Sequence, residues 1–459
     1  MNEKNPVLAA TAIAAFITPF MSSSVNIALP SIGLELGADT GLLNWVATSF
    51  ILAAAMFLVP LGKLADIHGR RAAFAAGMAL YTLSSFACAL APTVALLIAL
   101  RVAQGIGGAM VFGTSTAILT SVFPPGERGR ALGINIGVTY IGLSVGPFLG
   151  GILTQHLGWR SLFVLGGALG LAGLLIVLAR VHGEWAEAKG ERFDLGGSAV
   201  YAAGLALVMY GLSLLPALSG GALVLGGFAC LALFVLRELR VAHPVLSISL
   251  FRGNRAFAFS NLAALISYSA TFSVGYLLSL YLQSVRGFSP QAAGLVLVSQ
   301  PALQALLSPL AGRLSDRIEP RLLASAGMLL TAAGMAPLAL LGPASGLPAV
   351  VASLGVMGVG FALFSSPNTN AVMGAVDRRV YGVASATLGT MRLVGQMLSM
   401  GMVMVSFALS MGRARLEPPL FPQFLASMRG VLLTGVGLCL LGVFASLARG
   451  KVRTDRERA

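Results

Sequence analysis

The residues of this chain best placed for chemistry are charged side chains that interrupt long apolar segments. A short basic stretch, Gly-Lys-Leu-Ala-Asp-Ile-His-Gly-Arg-Arg, occupies residues 62–71, and a related one, Gly-Arg-Leu-Ser-Asp-Arg-Ile-Glu-Pro-Arg, occupies residues 312–321. Each copy lies between two apolar runs and carries one aspartate, Asp66 or Asp316. A carboxylate in such a turn can accept from backbone amides or pair with arginine, and so brace neighbouring helices.

The candidates for gating and conformational coupling lie in these two hinges or in the basic loop that follows the fourth apolar run. They are Gly62, Asp66, Gly69, Arg70, Arg71, Arg128, Arg130 and Asp316. In the second copy Pro320 replaces the glycine–arginine region, which weakens the expectation of a brace there. We expect Asp66 to pair with Arg70 or with the loop that carries Arg128 and Arg130. The alternative interpretation is a turn capped by aspartate and anchored by arginines that reach the membrane interface.

Two arginines, Arg101 and Arg392, fall inside apolar runs. A charge in hydrocarbon is costly, so such a residue is functional or tightly paired. Arg101 shares one helical face with Gln104 and a stripe of glycines, so these side chains project together. Bonding to backbone carbonyls would instead make Arg101 purely structural.

No acidic residue falls at the middle of any apolar run. A desolvated carboxylate there would be a good proton carrier and a counter-ion for cations. Without such a carboxylate, recognition of a cation is hard to support, and a bound compound is expected to be neutral, amphipathic or anionic. The carboxylates that remain as candidates for proton handling are Asp66, Asp316, Glu35 and Asp39.

The composition requires a membrane protein. The 459 residues are 57% hydrophobic and 10% charged, whereas soluble domains carry roughly 25% charged residues. Fourteen apolar runs can be marked, and each reaches the roughly 20 residues that span a bilayer as a helix. The runs are continuous rather than alternating, which favours helices over a barrel. We therefore expect an all-α integral membrane protein with fourteen transmembrane helices.

The basic residues indicate the orientation. Of the 30 lysines and arginines, five lie in the odd-numbered connections and two lie within runs. The remainder lie at the termini and in the even-numbered connections, which places both termini in the cytoplasm. The net charge of +14 is thereby explained without nucleic acid. We expect a six-helix bundle at 1–181, connectors with two extra helices at 182–255, and a second six-helix bundle with a basic tail at 256–459.

Several motifs resemble the major facilitator superfamily. The hinge at 62–71 resembles its motif A, and the segment 142–151 matches motif C of the exporting antiporter branch. The segment from Leu97 through Arg101 to Ala109 resembles motif B, and this resemblance implies that Arg101 handles protons or organises the cavity. The motif C residues are Gly142, Gly146, Pro147, Gly150 and Gly151. Glycines four residues apart form a smooth ridge for close helix approach, which ordinary packing of small residues would also explain.

Further segments look like the fourteen-helix drug:proton antiporter family, among them Asn44-Trp45-Val-Ala-Thr and Gly158-Trp159-Arg160. The resemblance covers essentially the whole chain. It implies two six-helix bundles of the major facilitator fold plus two additional helices, which move substrate by alternating access. One departure is Met21, which stands where the family pattern begins with aspartate.

Polar and aromatic residues within the runs are candidates for the substrate cavity, because polar groups facing lipid are costly. For any one of them, packing between helices is as good an explanation as substrate contact. The candidates are Met21, Asn26, Trp45, Gln104, Asn135, Tyr268, Phe272, Tyr276, Gln300, Asn368, Asn370, Arg392 and Gln396.

The sequence therefore predicts a monomeric, proton-coupled efflux transporter for amphipathic small molecules in the lipid of a bacterial or archaeal inner membrane. The alternatives are a translocator of lipids or organic anions, an uncoupled facilitator, or a non-transporting membrane sensor on the same scaffold. No nucleotide-binding loop, metal-ligand cluster or nucleophile–base arrangement is evident, so we expect no enzymatic activity, cofactor or metal.

Overall fold

A computed structural model describes residues 3–315, 317–377, 380–412 and 414–450. These ranges contain no strand, and fourteen helical segments within them are long and apolar enough to cross a membrane. The predicted all-α membrane fold with fourteen spans is thus confirmed. The chain divides into two compact units.

The first unit comprises the chain up to Leu246 together with Ser289–Gly294. Side chains cap several of its helix starts: Asp39 accepts from the Leu42 amide at 2.7 Å, and Thr93 accepts from the Leu96 amide. Its helices are α1 (Lys4–Leu36), α2 (Thr40–His68), α3 (Arg70–Ala89), α4 (Val94–Val122), α5 (Pro125–Leu157), α6 (Arg160–Arg180), α7 (Leu195–Leu214) and α8 (Leu218–Glu238).

Helices α7 and α8 are the extra pair, and they belong to the first unit. They pack on each other, and α7 contacts α2, where the Tyr201 hydroxyl donates to the Ala55 carbonyl at 3.0 Å. The remaining pairs with extensive contact are α1 with α5, α2 with α4, α3 with α4 and α3 with α6. The three-part division at 1–181, 182–255 and 256–459 stays a prediction.

The second unit comprises Ser247–Phe288 and the chain from Leu295 onwards. Its core includes Phe257, Met328 and Phe364, each fully buried. The helices of this part of the chain are α9 (Arg255–Thr271), α10 (Ser273–Leu280), α11 (Pro290–Leu297), α12 (Ser299–Ser315), α13 (Pro320–Leu338), α14 (Leu347–Gly374), α15 (Tyr381–Ser410) and α16 (Phe421–Ala448). The start of α11, up to Gly294, groups with the first unit.

Two of the fourteen spans are interrupted. The ninth consists of α9 and α10, which are separated at Phe272 and followed by a π-helical turn at Tyr281–Val285. The tenth consists of α11 and α12, which break at Val298. Pro301 explains this break, because proline lacks an amide hydrogen and its ring clashes with the carbonyl four residues earlier.

Candidate functional site

The first hinge is a tight turn at Gly69 between α2 and α3. Gly69 has φ 132°, a backbone conformation that residues with a Cβ rarely adopt. A Cβ at this position would also lie 2.6 Å from the Glu184 carboxyl carbon. The backbone conformation therefore favours glycine, and any larger residue would also displace the Glu184 side chain.

Arg70 is the centre of a charged cluster at this hinge. Its Nε donates to Asp66 Oδ1 at 2.6 Å, and its Nη1 and Nη2 donate to the two carboxylate oxygens of Glu187 at 2.7 and 3.0 Å. The Nη1 atom also donates to the Ser121 hydroxyl at 2.9 Å. Arg70 thus links the end of α2, the end of α4 and the segment between α6 and α7.

That segment, residues 181–194, is here called the connector. Glu184 accepts from the backbone amides of Arg71 and Ala72 at 2.8 and 3.1 Å, so a carboxylate caps the positive end of α3. The Trp185 carbonyl accepts from the Arg70 amide at 2.8 Å. The connector is therefore held to the hinge by backbone and side-chain hydrogen bonds together.

A third glutamate of the connector, Glu191, pairs with Lys63 on α2, with 2.5 Å between Oε2 and Nζ. The hydrogen bond from Lys63 holds the pKa of Glu191 below its usual range, and the one from Arg70 does the same for the pKa of Glu187. Both carboxylates are therefore ionised at neutral pH. Sequence reasoning missed these partners, although Glu184, Glu187 and Glu191 recur at helical spacing and complement the basic hinge in charge.

Neither of the other two predicted partners of Asp66 forms an ion pair with it among the described residues. Arg128 donates from its Nε to the Phe123 carbonyl at 2.7 Å, and Arg130 is exposed. In the second copy of the hinge, Asp316 lies outside the described residues. Gly62 is half-buried, and no atom lies within 4 Å of where its Cβ would be.

Arg101 is buried in the first unit, with a relative exposure of 1%. Its Nη1 donates to Gln104 Oε1 at 2.6 Å and its Nε donates to the Val46 carbonyl at 3.2 Å. The Gln104 amide in turn donates to the Ser85 hydroxyl at 2.7 Å. The guanidinium lies 4.6 Å from the centre of the Phe50 ring, a cation–π contact. This geometry favours the structural interpretation of Arg101, and its role in charge or proton handling stays a prediction.

The two carboxylates predicted to handle protons at the other end of the first unit make structural contacts. Glu35 accepts from Trp159 Nε1 at 2.6 Å and forms an ion pair with Arg160. Asp39 caps α2, as described above. These contacts tie the end of α1 to the start of α6 and fix the start of α2.

The glycines of the motif C segment form one ridge against α1. A Cβ on Gly142 would lie 2.5 Å from the Phe16 carbonyl oxygen, a Cβ on Gly146 would overlap the Ser23 hydroxyl, and one on Gly150 would lie 2.8 Å from Ser24 Cβ. The Ser24 hydroxyl donates to the Gly146 carbonyl at 2.9 Å. Pro147 is also buried, and a Cβ on Gly151 would lie 2.5 Å from the Pro290 carbonyl oxygen.

The predicted cavity residues of the first unit differ in burial. Met21 has no exposed surface, and its Sδ lies 2.9 Å from where a Cβ on Gly166 would stand. Gln104 is fully buried in the Arg101 network. The half-buried members of the set are Asn26, Trp45 and Asn135.

Two of the aromatic residues predicted to line the cavity in the second unit contact different helices. Tyr268 makes an edge-to-face contact with Phe361 of α14, with 5.4 Å between ring centres. Tyr276 is fully buried and packs against Phe407 of α15, and Phe272 separates α9 from α10. That the three aromatic residues line one wall of a cavity stays a prediction.

The amides of this set are also placed differently from one another. Asn368 is buried and donates to the Ser260 carbonyl at 3.1 Å, whereas Asn370 is exposed and donates to the Ser315 hydroxyl at 2.7 Å. The half-buried members are Gln300, Gln396 and Arg392.

A family model described as Major Facilitator Superfamily matches residues 11–400 of the chain. The chain belongs to the Major Facilitator Superfamily. It is therefore a multi-pass membrane transporter, which confirms the predicted resemblance at the level of the superfamily. A solved structure of the same fold is that of a bacterial homolog of the human lysosomal transporter Spinster. It has a TM-score of 0.71 at 18% identity and covers 97% of both chains.

Three relatives in this superfamily carry functional names. Multidrug resistance protein Stp of Mycobacterium tuberculosis is 33% identical over 420 residues, covering 90% of this chain and 77% of Stp. Riboflavin transporter RibZ of Clostridioides difficile is 28% identical, covering 85% and 86% of the two chains. The tetracenomycin C resistance and export protein of Streptomyces glaucescens is 30% identical, covering 89% and 76%.

Proposed function

We propose that this superfamily member is a secondary active exporter of amphipathic small molecules that works by alternating access in exchange for protons. It acts as a monomer in the lipid of a bacterial or archaeal inner membrane, with both termini in the cytoplasm. The observation that carries the proposal is the ridge of Gly142, Gly146 and Gly150 against α1, since this motif resembles that of the exporting branch. The names of the relatives Stp and the tetracenomycin C exporter support the same direction.

The hinge supports the alternating part of the proposal. A cluster in which one arginine links α2, α4 and the connector can form in one conformation and break in another at modest cost, because its ion pairs are partly exposed. We assign gating to Asp66, Arg70 and Glu187 on this basis. Contacts of this kind bias two conformations of a protein without altering the helices themselves.

A second candidate function is an uncoupled facilitator or a translocator of lipids or organic anions. Every acidic side chain that the structure describes lies in a connection between spans or within one turn of a helix end. Met21, which stands in place of the family's aspartate, is buried against α6. Riboflavin transporter RibZ shows that relatives are not all named for drug resistance.

Transport into proteoliposomes tests both candidates. Purified full-length protein is reconstituted, a lumen-acid pH gradient is imposed, and uptake of cationic, neutral and anionic amphipathic dyes is followed. Proton-coupled export predicts uptake that requires the gradient and is abolished by a protonophore. If a dye equilibrates across the membrane whether or not a pH gradient is present, the protein is a facilitator. Liposomes without protein measure the background uptake.

A further inference from the structure

Arg392 lies deep within its span. It follows the first residue of α15, Tyr381, by eleven positions and precedes the last, Ser410, by eighteen. At about 1.5 Å per residue, these separations correspond to roughly 16 Å and 27 Å along the helix. Since the hydrocarbon layer is about 30 Å thick, the Cα of Arg392 lies roughly 10 Å inside the layer when the helix is centred in it.

The contacts of Arg392 satisfy only part of its guanidinium. Its Nη2 donates to the Thr369 hydroxyl at 2.8 Å, and this hydroxyl donates to the Ser365 carbonyl at 2.8 Å. Its Nε is buried and has no hydrogen-bond partner. Within the part of the chain that the structure describes, no carboxylate forms an ion pair with Arg392.

An aromatic pair adjoins this guanidinium. Arg392 lies 5.7 Å from the centre of the Tyr268 ring, which makes the edge-to-face contact with Phe361. Helix α15 approaches α9 closely at this level, because a Cβ on Gly395 would lie 2.9 Å from Tyr268 Cβ. A cation with unused donors and an apolar surface therefore lie side by side.

The exposed part of Arg392 must face water or a ligand. The side chain is half-buried at hydrocarbon depth, and contact of its charge with lipid tails would be costly. A desolvated charge without a counter-ion is likewise unfavourable, and a bound anion would relieve that cost. Guanidinium groups suit this task because their donors match the two oxygens of a carboxylate or phosphate.

We propose that Arg392 recognises the anionic group of an amphipathic organic anion, whose apolar part lies against Tyr268 and Phe361. The proposal rests on the transport function above and adds the substrate class and the residue that selects it. The anionic group is a carboxylate, sulfonate or phosphate, and it belongs either to a soluble compound or to a lipid headgroup.

The test uses two probes that differ in charge and share one apolar body, 1-naphthaleneacetate and 1-naphthaleneacetamide. Their dissociation constants are measured on the purified full-length protein in nanodiscs of neutral lipid. We expect the unaltered protein to prefer the carboxylate, and Arg392→Gln to lower the ratio of the two affinities by about tenfold or more. Arg392→Lys should retain part of the preference. Equal affinity of the unaltered protein for the two probes would overturn the proposal.

The variant Thr369→Val distinguishes a role of Arg392 in ligand recognition from a role in holding α15 against α14. It removes the acceptor for Nη2 and leaves the charge in place, so the preference for the carboxylate should persist. If Thr369→Val abolished the preference as fully as Arg392→Gln, with unchanged thermal unfolding of both variants, the role of Arg392 would be to fasten α15 to α14. Competition by short-chain phosphatidylglycerol, but not phosphatidylcholine, would identify a lipid headgroup as the anion, and no competition would identify a soluble one.

The same reconstituted protein distinguishes this proposal from the proposed function. Uptake of the naphthalene amide driven by the pH gradient, without any preference for the carboxylate, would leave proton-coupled export standing and remove the role of Arg392. A preference for the carboxylate that depends on Arg392, without any response of uptake to the pH gradient, would leave the role of Arg392 standing and remove proton-coupled export.

Discussion

Arg101 and Arg392 are the same residue type within apolar helices of the two units, but their surroundings differ. Arg101 is 1% exposed, donates to Gln104 and Val46, and stacks on Phe50. Arg392 is half-buried and keeps a buried nitrogen without a partner. The difference teaches that an intramembrane charge does not by itself mark a binding site. We interpret Arg101 as an arginine that holds helices together. Arg392 is the one we propose for ligand contact, because its Nη1 has no hydrogen-bond partner among the described residues.

The largest expected effect comes from truncating the enclosed arginine. Arg101→Ala should leave a cavity beside Phe50 and an unpartnered amide oxygen on Gln104. We expect a loss of about 3 kcal/mol or more in the free energy of unfolding, by analogy with other large buried side chains. Thermal unfolding in detergent and the amount of protein in the membrane measure the loss. Arg392→Ala is the matched control and should unfold close to the temperature of the unaltered protein. An equal loss of unfolding free energy in both variants would show that the two arginines do not differ in their contribution to stability.

A second test asks whether close packing in the first unit extends beyond Arg101. Gly146→Leu should force α1 and α5 apart and abolish transport, because its side chain would overlap the Ser23 hydroxyl. Overpacking of this kind costs about 1–3 kcal/mol. Gly133→Leu on the same helix is the control, since no atom lies within 4 Å of where its Cβ would be. Normal dye transport by Gly146→Leu would show that the ridge does not require glycine.

A third test concerns the partly exposed ion pairs of Arg70 at the hinge of the first unit. Asp66→Asn and Glu187→Gln should each alter the free energy of unfolding by less than about 1 kcal/mol, because the ion pairs are partly exposed. Transport should nevertheless fall several-fold, since each variant removes one carboxylate partner of Arg70. Initial uptake rates in proteoliposomes measure this fall. Glu127→Gln breaks an exposed ion pair with Lys4 and should transport normally; undiminished transport by Asp66→Asn would count against gating at this hinge.

The smallest expected effect is a pH dependence of the contact between the connector and Arg70. The hydrogen bond from Arg70 lowers the pKa of Glu187. The Glu187 contact is therefore fully present above the ordinary carboxyl pKa, about 4.3, and is lost as the pH falls through the lowered value. The fluorescence contributed by Trp185, obtained by subtracting the signal of Trp185→Phe, should be constant from pH 7 to about 5 and change below about 4. In Glu187→Gln part of that change should already be present at pH 7.

The fourteen spans could be predicted from the sequence because each is a continuous apolar run, and a membrane leaves such a run no structure other than a helix. The pairing of Asp66 with Arg70 was among the predicted alternatives, since the two residues lie one turn apart. The interruption of the ninth span at Phe272 was not predicted, because no proline or glycine at that position announces it. The break at Val298 does have a sequence cause, Pro301, because a proline ring clashes with the carbonyl of the preceding turn.

By itself, the sequence determined the helices, the duplicated hinge and the glycine ridge, because these follow from local spacing and from the exclusion of charge from hydrocarbon. Only the tertiary structure decided which charges are satisfied. The connector glutamates reach Lys63, Arg70 and the start of α3 from more than a hundred residues away. Arg101 and Arg392 likewise look alike in sequence, and they differ because the free energy of a buried charge depends on which acceptors the folded chain places around it.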